Sequence, residues 1–321
     1  MEINKDIVKQ LQESNKVAIF VHINPDGDCV GSASALKQML VSMGKTVDIY
    51  SDTQPSENYR FIKHVDEIKS DAYEGGYDLH VAVDCADLKR TGKYSSVFNK
   101  VDKTICLDHH KTNDGFAKLT HVEIVSSAAL LIYQYIKAMS ELNADIAAAL
   151  YAGLSSDTGC FLHSNTTSLE HKVAAELIDY GFDLDYSNRM LFKYTTMAKF
   201  ELTKRALSST EFFANGKVGI FKLTRKDLEE TNANISDTTG LVNEITNVNC
   251  CEVGIIIYEQ ERGLFRCSLR SKSCVDVSVI AEQFGGGGHE RAAGCNIFGC
   301  LKTAKNKIVS ACIKEVHKAG L

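Results

Sequence analysis

Apolar runs of strand length that end on acids constrain this 321-residue chain more than any other feature. Val17-Ala18-Ile19-Phe20-Val21 runs into His22-Ile23-Asn24-Pro25-Asp26-Gly27-Asp28, and Leu79-His80-Val81-Ala82-Val83 runs into Asp84-Cys85-Ala86-Asp87. Thr104-Ile105-Cys106-Leu107 is followed by Asp108-His109-His110. Unbroken apolar runs suit strands buried on both faces, as in parallel sheets. Together with a run at 47–50 they alternate with helical patterns, which predicts an α/β fold around a doubly wound parallel sheet. Acids and histidines at the carboxyl ends of such strands gather along one edge, where open α/β folds bind ligands.

Composition narrows the function classes. Apolar content of 44% and charged content of 24% are those of a globular domain protein. No run of about 18 apolar residues is present, so no membrane partner is expected. The opening residues Met1-Glu2-Ile3-Asn4-Lys5-Asp6 lack a basic segment followed by a long apolar one, which predicts a cytoplasmic location. A formal net charge of −5 argues against a bulk electrostatic grip on long nucleic acid. Eleven cysteines include no C-x-x-C pair and read as small buried residues in a reducing compartment.

The first acidic loop is the richest. His22, Asp26 and Asp28 fall within seven residues, turned by Pro25 and Gly27, just before a helical pattern that runs to about Met43. A helix cap at Asp28 would explain one aspartate but not the histidine and the second aspartate beside it. No G-x-G-x-x-G follows the first strand, so a dinucleotide site is not supported. Helices are predicted over 5–15, 127–142, 145–154 and 169–180, with Asp157 in the turn after the third. His22, Asp26, Asp28, Asp84, His109 and Asp157 form a mixed imidazole and carboxylate set suited to Mn²⁺, with Mg²⁺ or Co²⁺ as alternatives. Four carboxylates exceed the needs of one divalent cation and suit two, about 3.5–4 Å apart, which is the arrangement for phosphoester hydrolysis. His64, His80, His121, His163, His171 and His317 lack such neighbours and read as surface or core residues.

The pattern changes further along. Residues 185–207 carry Lys, Arg and Met without Gly or Pro and predict a linker helix able to act as a hinge. This divides the chain into 1–184, 185–207 and a smaller α/β domain over 208–321. In the last part, strands are expected at 217–223, 252–259 and 264–270, with helices near 225–231, 236–247 and 275–284. Phe284-Gly285-Gly286-Gly287-Gly288-His289 then reads as a loop whose backbone can approach an anion, with His289 and Arg270 as donors.

His22-x-x-x-Asp26-x-Asp28, Val83-Asp84, Asp108-His109-His110 and Ser156-Asp157-Thr158-Gly159 resemble, in order and spacing, the four motifs of the DHH phosphoesterase superfamily. The glycine-rich His289 segment with Arg270 resembles a DHHA1 substrate-binding domain, so the resemblance covers nearly the whole chain. It implies that His22, Asp26 and Asp84 hold one cation. Asp28, Asp84, His109 and Asp157 would hold a second, with Asp84 bridging. His110 would contact the scissile phosphate, and Asp108 would orient a ligand histidine by hydrogen bond. Arg270, His289 and the backbone of Gly286, Gly287 and Gly288 would bind another part of the substrate. Cys29 stands where a small residue is expected, close enough to the cations to confer sensitivity to oxidants or thiophilic metals.

Within the superfamily the two-domain build resembles the NrnA-type enzymes. This implies hydrolysis of short RNA or DNA oligonucleotides (nanoRNA, dinucleotides such as pApA and pGpG) and of mononucleotide bisphosphates such as 3′-phosphoadenosine 5′-phosphate, pAp. Two domains facing each other across a cleft would measure substrate length, and the acidic net charge fits a short substrate. A homodimer is compatible with the sequence. The alternative is a cyclic-dinucleotide (c-di-AMP) phosphodiesterase. A RecJ-like exonuclease would need extra nucleic-acid modules, and a family II inorganic pyrophosphatase lacks the glycine-rich His segment. A non-catalytic nucleotide sensor would not need a full set of competent ligands.

Overall fold

Five parallel strands carry the N-terminal unit, and a computed structural model describes them within residues 2–321. They are β1 (Lys16–Phe20), β2 (Thr46–Tyr50), β3 (Leu79–Val83), β4 (Thr104–Asp108) and β5 (Leu119–Val122), in the order β2-β1-β3-β4-β5. The sheet is buried on both faces, which is why the strand sequences show no polar alternation. Val17, Ile19, Leu79, Val81, Val83, Ile105 and Leu107 face one core. Ala18, Phe20, Ala82 and Cys106 face another. At about 1.5–3 kcal/mol for each large aliphatic or aromatic side chain, these two layers fix the register of every strand.

The first core is covered by helices α1 (Lys5–Glu13), α2 (Gly27–Ser42), α4 (Ala128–Met139), α5 (Ala144–Asp157) and α6 (Ser168–Ile178). The second carries the short α3 (Ser95–Phe98) and a layer of aromatic rings, with Phe20 stacked on Tyr50 and edge-on to Phe98. There His80 bridges Tyr73 and the Phe98 carbonyl, which makes it a satisfied core histidine. Helix α2 is buried along nearly its whole length and crosses α5 closely. Gly153 permits the crossing: a Cβ there would stand 2.6 Å from the Ala129 Cβ and 2.8 Å from an Asp28 carboxylate oxygen. Edge strand β5 was not expected, because Leu-Thr-His-Val is half-buried and polar.

Residues 185–207 are not one helix. They fall into α7 (Leu184–Asn188), a π turn over Arg189–Lys193, an extended Tyr194, and α8 (Met197–Ser208). The compact units divide between Tyr194 and Thr195.

The C-terminal unit is a six-stranded mixed sheet in the order β10-β11-β9-β8-β7-β6. Its strands are β6 (Glu211–Phe213), β7 (Val218–Leu223), β8 (Val253–Glu261), β9 (Leu264–Ser271), β10 (Gly287–His289) and β11 (Ala292–Phe298). Helices α11 (Val277–Glu282) and α12 (Leu301–Lys318) cover one face. On the other, α8, α9 (Arg225–Thr231) and α10 (Leu241–Thr246) pack over Phe221, Leu223, Ile256 and Tyr258 of β7 and β8. The half of that face formed by β9, β11 and β10 carries Arg266, Ser268 and Arg270 in its half-buried positions. The glycine run expected as a loop is instead half of a β-hairpin, β10 pairing antiparallel with β11. A Cβ on Gly286 would collide with the Gly294 carbonyl, so the glycine is required by backbone packing. No helix among the described residues is long and apolar enough to cross a membrane.

Candidate metal centre

The chain enters the sheet at β1, steps outward to β2, then crosses back to β3 on the other side of β1. That reversal opens a crevice at the carboxyl ends of β1 and β3. His22 follows β1, Asp84 follows β3, and Asp108, His109 and His110 close β4. Asp26 and Asp28 arrive at the start of α2 and Asp157 at the end of α5. Asp26, not Asp28, is the cap of α2, accepting the Cys29 N–H at 3.1 Å. The six candidate ligands thus come from five places in the chain and line one crevice.

Asp84 is the centre of the cluster. Its Oδ2 lies 3.5 Å from His22 Nε2, and its Oδ1 lies 3.3 Å from His109 Nε2. Asp26 Oδ1 is 3.7 Å from His22 Nε2. On the other side, Asp157 Oδ2 and Asp28 Oδ2 are 3.3 and 3.8 Å from His109 Nε2. Asp84 also holds a left-handed backbone, with φ +57, unusual for a residue other than glycine or asparagine. Its N–H donates to the Leu107 carbonyl at 3.0 Å, which pins that conformation between β3 and β4. Strain of this kind gathers where a side chain must be aimed.

Hydrogen bonds on the far side of each ring decide what the near side offers. His22 Nδ1 lies 2.9 Å from the Ile23 carbonyl and His109 Nδ1 lies 3.1 Å from that of Val125. A carbonyl can only accept, so each Nδ1 carries a proton and each Nε2 is the ring atom turned toward the carboxylates, with a lone pair to offer a cation once its own proton is displaced. His109 Nε2 and Asp84 Oδ1 are buried and have no hydrogen-bond partner. Orphaned acceptors of that type cost about 1–3 kcal/mol each unless something satisfies them. Ligand atoms of Asp28, His109 and Asp157 lie within 4.8 Å of one another, as do those of His22, Cys29 and Asp84.

The charge balance points the same way. Burial, then repulsion from Asp84, pushes the Asp28 carboxyl up to about 7. Burial, then the Asp28 and Asp84 charges, pushes Asp157 up to about 9. Burial works against a charged His109, but the surrounding carboxylates outweigh it and raise its pKa to about 10. Burial likewise opposes ionisation of Asp84, which the two histidines nonetheless hold well below the usual range. Asp28 is fully buried and accepts the Ala128 and Ala129 N–H groups at 2.6 and 2.8 Å, at the positive end of α4. Asp157 sits at the negative end of α5, where a carboxylate is disfavoured. Such crowding of acids is relieved by divalent cations, and the nitrogen and oxygen donors present suit them.

Asp108 plays a different part from the one expected. Its Oδ1 accepts from His110 Nδ1 at 2.7 Å rather than from the candidate ligand His109, whose Nδ1 is already taken by Val125. Asn113 Nδ2 donates to Asp108 Oδ2 at 2.7 Å. The sequence Asn113, Asp108, His110 is therefore a relay of fixed orientation that leaves His110 Nε2 facing outward. Asn113 was missed from sequence, because nothing in Thr112-Asn113-Asp114 marks it as a partner of the strand end.

In the C-terminal unit, register brings the expected anion donors into one row. Arg270 pairs with Ala292, and Ala292 pairs with His289. Partners in register project to the same face of a sheet, so the two cation-capable side chains flank a single methyl group. Burial lowers the Arg270 pKa, and no carboxylate is within ion-pair distance of it among the described residues. Gly287 and Gly288 lie in the same hairpin edge. Arg266, four residues before Arg270 on the same face, adds a third cation that the sequence reading passed over; the alternation Arg266-x-Ser268-x-Arg270 was the signal available.

Comparison with known proteins covers both units. Residues 16–154 match the DHH family N-terminal domain, and residues 215–318 match the DHHA1 domain. The chain is 31% identical over 320 residues to a Streptococcus mutans protein named "Probable bifunctional oligoribonuclease and PAP phosphatase NrnA", covering 98% of this chain and 99% of that one. It is 30% identical over 331 residues to the bifunctional oligoribonuclease and PAP phosphatase NrnA of Thermus thermophilus, covering 100% and 95%. Its fold matches the crystal structure of an exopolyphosphatase-related protein from Bacteroides fragilis with a TM-score of 0.92 at 22% identity, covering 99% and 97%. Two matched domains in order, end-to-end similarity and a crevice of the required donors place the chain in the DHH/DHHA1 phosphoesterase family, in its NrnA-like branch.

Proposed function

We propose that this protein hydrolyses short oligonucleotides and pAp with two divalent cations, Mn²⁺ foremost. The single observation that carries the reading is the placement of the two Asp84 oxygens, one toward His22 and the other toward His109. A carboxylate presented to two imidazole Nε2 atoms, one from each oxygen, fits a bridge between two cations. His22 and Asp26 would complete one site, and Asp28, His109 and Asp157 the other. Bound there, divalent cations supply a hydroxide near neutral pH and neutralise phosphoryl charge.

The residues themselves do the positioning. Ile23 and Val125 carbonyls hold both ligand rings in one orientation, with Nε2 toward the carboxylates. Asp108 holds the Nδ1 proton of His110, which keeps Nε2 oriented toward a phosphate oxygen. Arg270 and His289 offer a second anion receptor, which suits nucleotides carrying a phosphate besides the one released. The net charge of −5 fits a short substrate, which needs no long phosphate track.

The test is Mn²⁺-dependent phosphate release and product mapping on pAp, pApA, pGpG, a 5-mer, a 24-mer and c-di-AMP, with Asp84→Ala as the blank. Turnover of pAp and the shortest oligomers with the 24-mer spared is the expected result. Comparable cleavage of the 24-mer would overturn it in favour of an exonuclease.

A further inference from the structure

We propose that Cys29 supplies a thiolate donor to the cation site of His22, Asp26 and Asp84, making it a site of mixed nitrogen, oxygen and sulfur ligation. The inference rests on the reading of this crevice as a cation centre and adds a ligand to it. Ligand atoms of His22, Cys29 and Asp84 lie within 4.8 Å of one another, a spread that one ion can span. All three residues are buried, and Asp84 turns its Oδ2 toward His22 Nε2 at 3.5 Å.

Local structure fixes the sulfur in place. Cys29 lies in the first turn of α2, and its N–H is held by Asp26, a candidate ligand of the same site. The two side chains therefore move as one unit of the helix start. Cys29 also borders the apolar core, so packing alone could account for a small residue there. Packing does not require its sulfur to share a 4.8 Å cluster with an imidazole and a carboxylate.

When a cation enters, the S–H bond breaks, a sulfur–metal bond forms, and the proton leaves to solvent; no redox change is involved. Hard Mn²⁺ and Mg²⁺ gain little from sulfur, whereas Co²⁺, Zn²⁺ and Cd²⁺ gain much. The two sites of the centre would then differ in metal preference, the His22 site being the thiophilic one.

The experiment is a Co²⁺ titration of the metal-stripped full chain, followed by absorption. The expected result is a near-ultraviolet thiolate-to-cobalt charge-transfer band in the wild type. In Cys29→Ser that band is absent, while the stoichiometry of two ions and the visible bands persist. Cd²⁺ affinity should fall at least about tenfold in Cys29→Ser, with Mn²⁺ affinity changed less than about threefold. Co²⁺ bound by the wild type without the band overturns the proposal but leaves the cation centre standing, and this needs no variant to fold. A band that survives in both Cys29→Ser and Cys29→Ala assigns it to another of the eleven cysteines and also overturns it. No Co²⁺ binding at all overturns both readings.

Discussion

His109 Nε2 stands 3.3 Å from Asp84 Oδ1, and neither of these buried atoms has a hydrogen-bond partner. Their closeness is held by the Val125 carbonyl behind the histidine and the Leu107 carbonyl behind the Asp84 backbone. Asparagine tolerates the left-handed backbone that Asp84 adopts, so Asp84→Asn removes the charge with the fold kept. Activity should fall at least about 10³-fold and Mn²⁺ binding by calorimetry should drop from two ions toward none. Retention of two ions would refute the bridging role.

Protons held by the cluster in the metal-stripped protein give a pH signature. Asp28 near 7, Asp157 near 9 and His109 near 10 all keep protons around neutrality. Cation binding should therefore release about two protons at pH 7, read by calorimetry in buffers of different ionisation enthalpy. Affinity should rise with pH from 6 to 9. An affinity independent of pH over that interval would contradict the coupling.

The same groups set the stability of the metal-stripped protein. A carboxyl whose folded pKa lies above its unfolded one favours folding at low pH and loses that contribution as pH rises through the interval. Asp157, up to about 9, should make the stripped protein less stable as pH climbs from about 4 to 9. Asp157→Asn should raise stripped-protein stability at pH 8 by about 1–2 kcal/mol while abolishing activity. Denaturant melts of the stripped variant and wild type decide it.

Asp108 should act through His110. Asp108→Asn leaves the cation ligands in place but breaks the fixed orientation of the His110 ring. kcat is expected to fall about 10²-fold with Mn²⁺ stoichiometry unchanged. Asn113→Ala, one bond further out, should cost about tenfold. A larger loss from Asn113 than from Asp108 would rule out this ordering.

Arg270 and Arg266 share one face of the second sheet but not one row. Arg270→Ala should raise KM about 10–100-fold with little change in kcat or metal content, as expected for a charged phosphate contact. Arg266→Ala should have a smaller effect. Initial rates on pAp over a range of concentrations separate the two.

Glu252 anchors the loop leading to α11. Its carboxylate accepts the N–H groups of Ser273, Cys274 and Val275 at 3.0, 2.7 and 3.0 Å. Burial opposes its ionisation, but these N–H donors hold it down to about 2. That stabilisation is present above the ordinary carboxylate range and disappears as pH falls through about 4 to 2. Glu252→Gln should destabilise the C-terminal unit by about 2 kcal/mol at pH 7, with the difference vanishing by pH 2. A constant difference across that range would show a packing effect instead.

The acids and histidines of the N-terminal unit were legible in the sequence because strand ends of a parallel sheet converge whatever the details of packing. An apolar run buried on both faces announces itself, and the residue after it falls at the sheet edge. Helix α12 was passed over in the sequence, although Ala304, Ile308, Cys312 and Val316 stand at helical spacing. What tertiary structure decided was the direction of hydrogen bonds and the pairing of polar backbone. Asp108 meets His110 rather than His109 because the Val125 carbonyl, sixteen residues away, reaches the His109 ring first. Gly287 and Gly288 pair as a strand with His289 because β11 approaches them, and glycines have no side chains from which an alternation could be read. The helix break falls at Tyr194-Thr195-Thr196, weak helix formers with Thr196 as the cap of α8, a local signal that the lack of Gly and Pro in this stretch obscured. Residue chemistry and strand pattern were local properties, written in the chain. Partner choice depends on distances between segments far apart in sequence, and only the folded chain sets those.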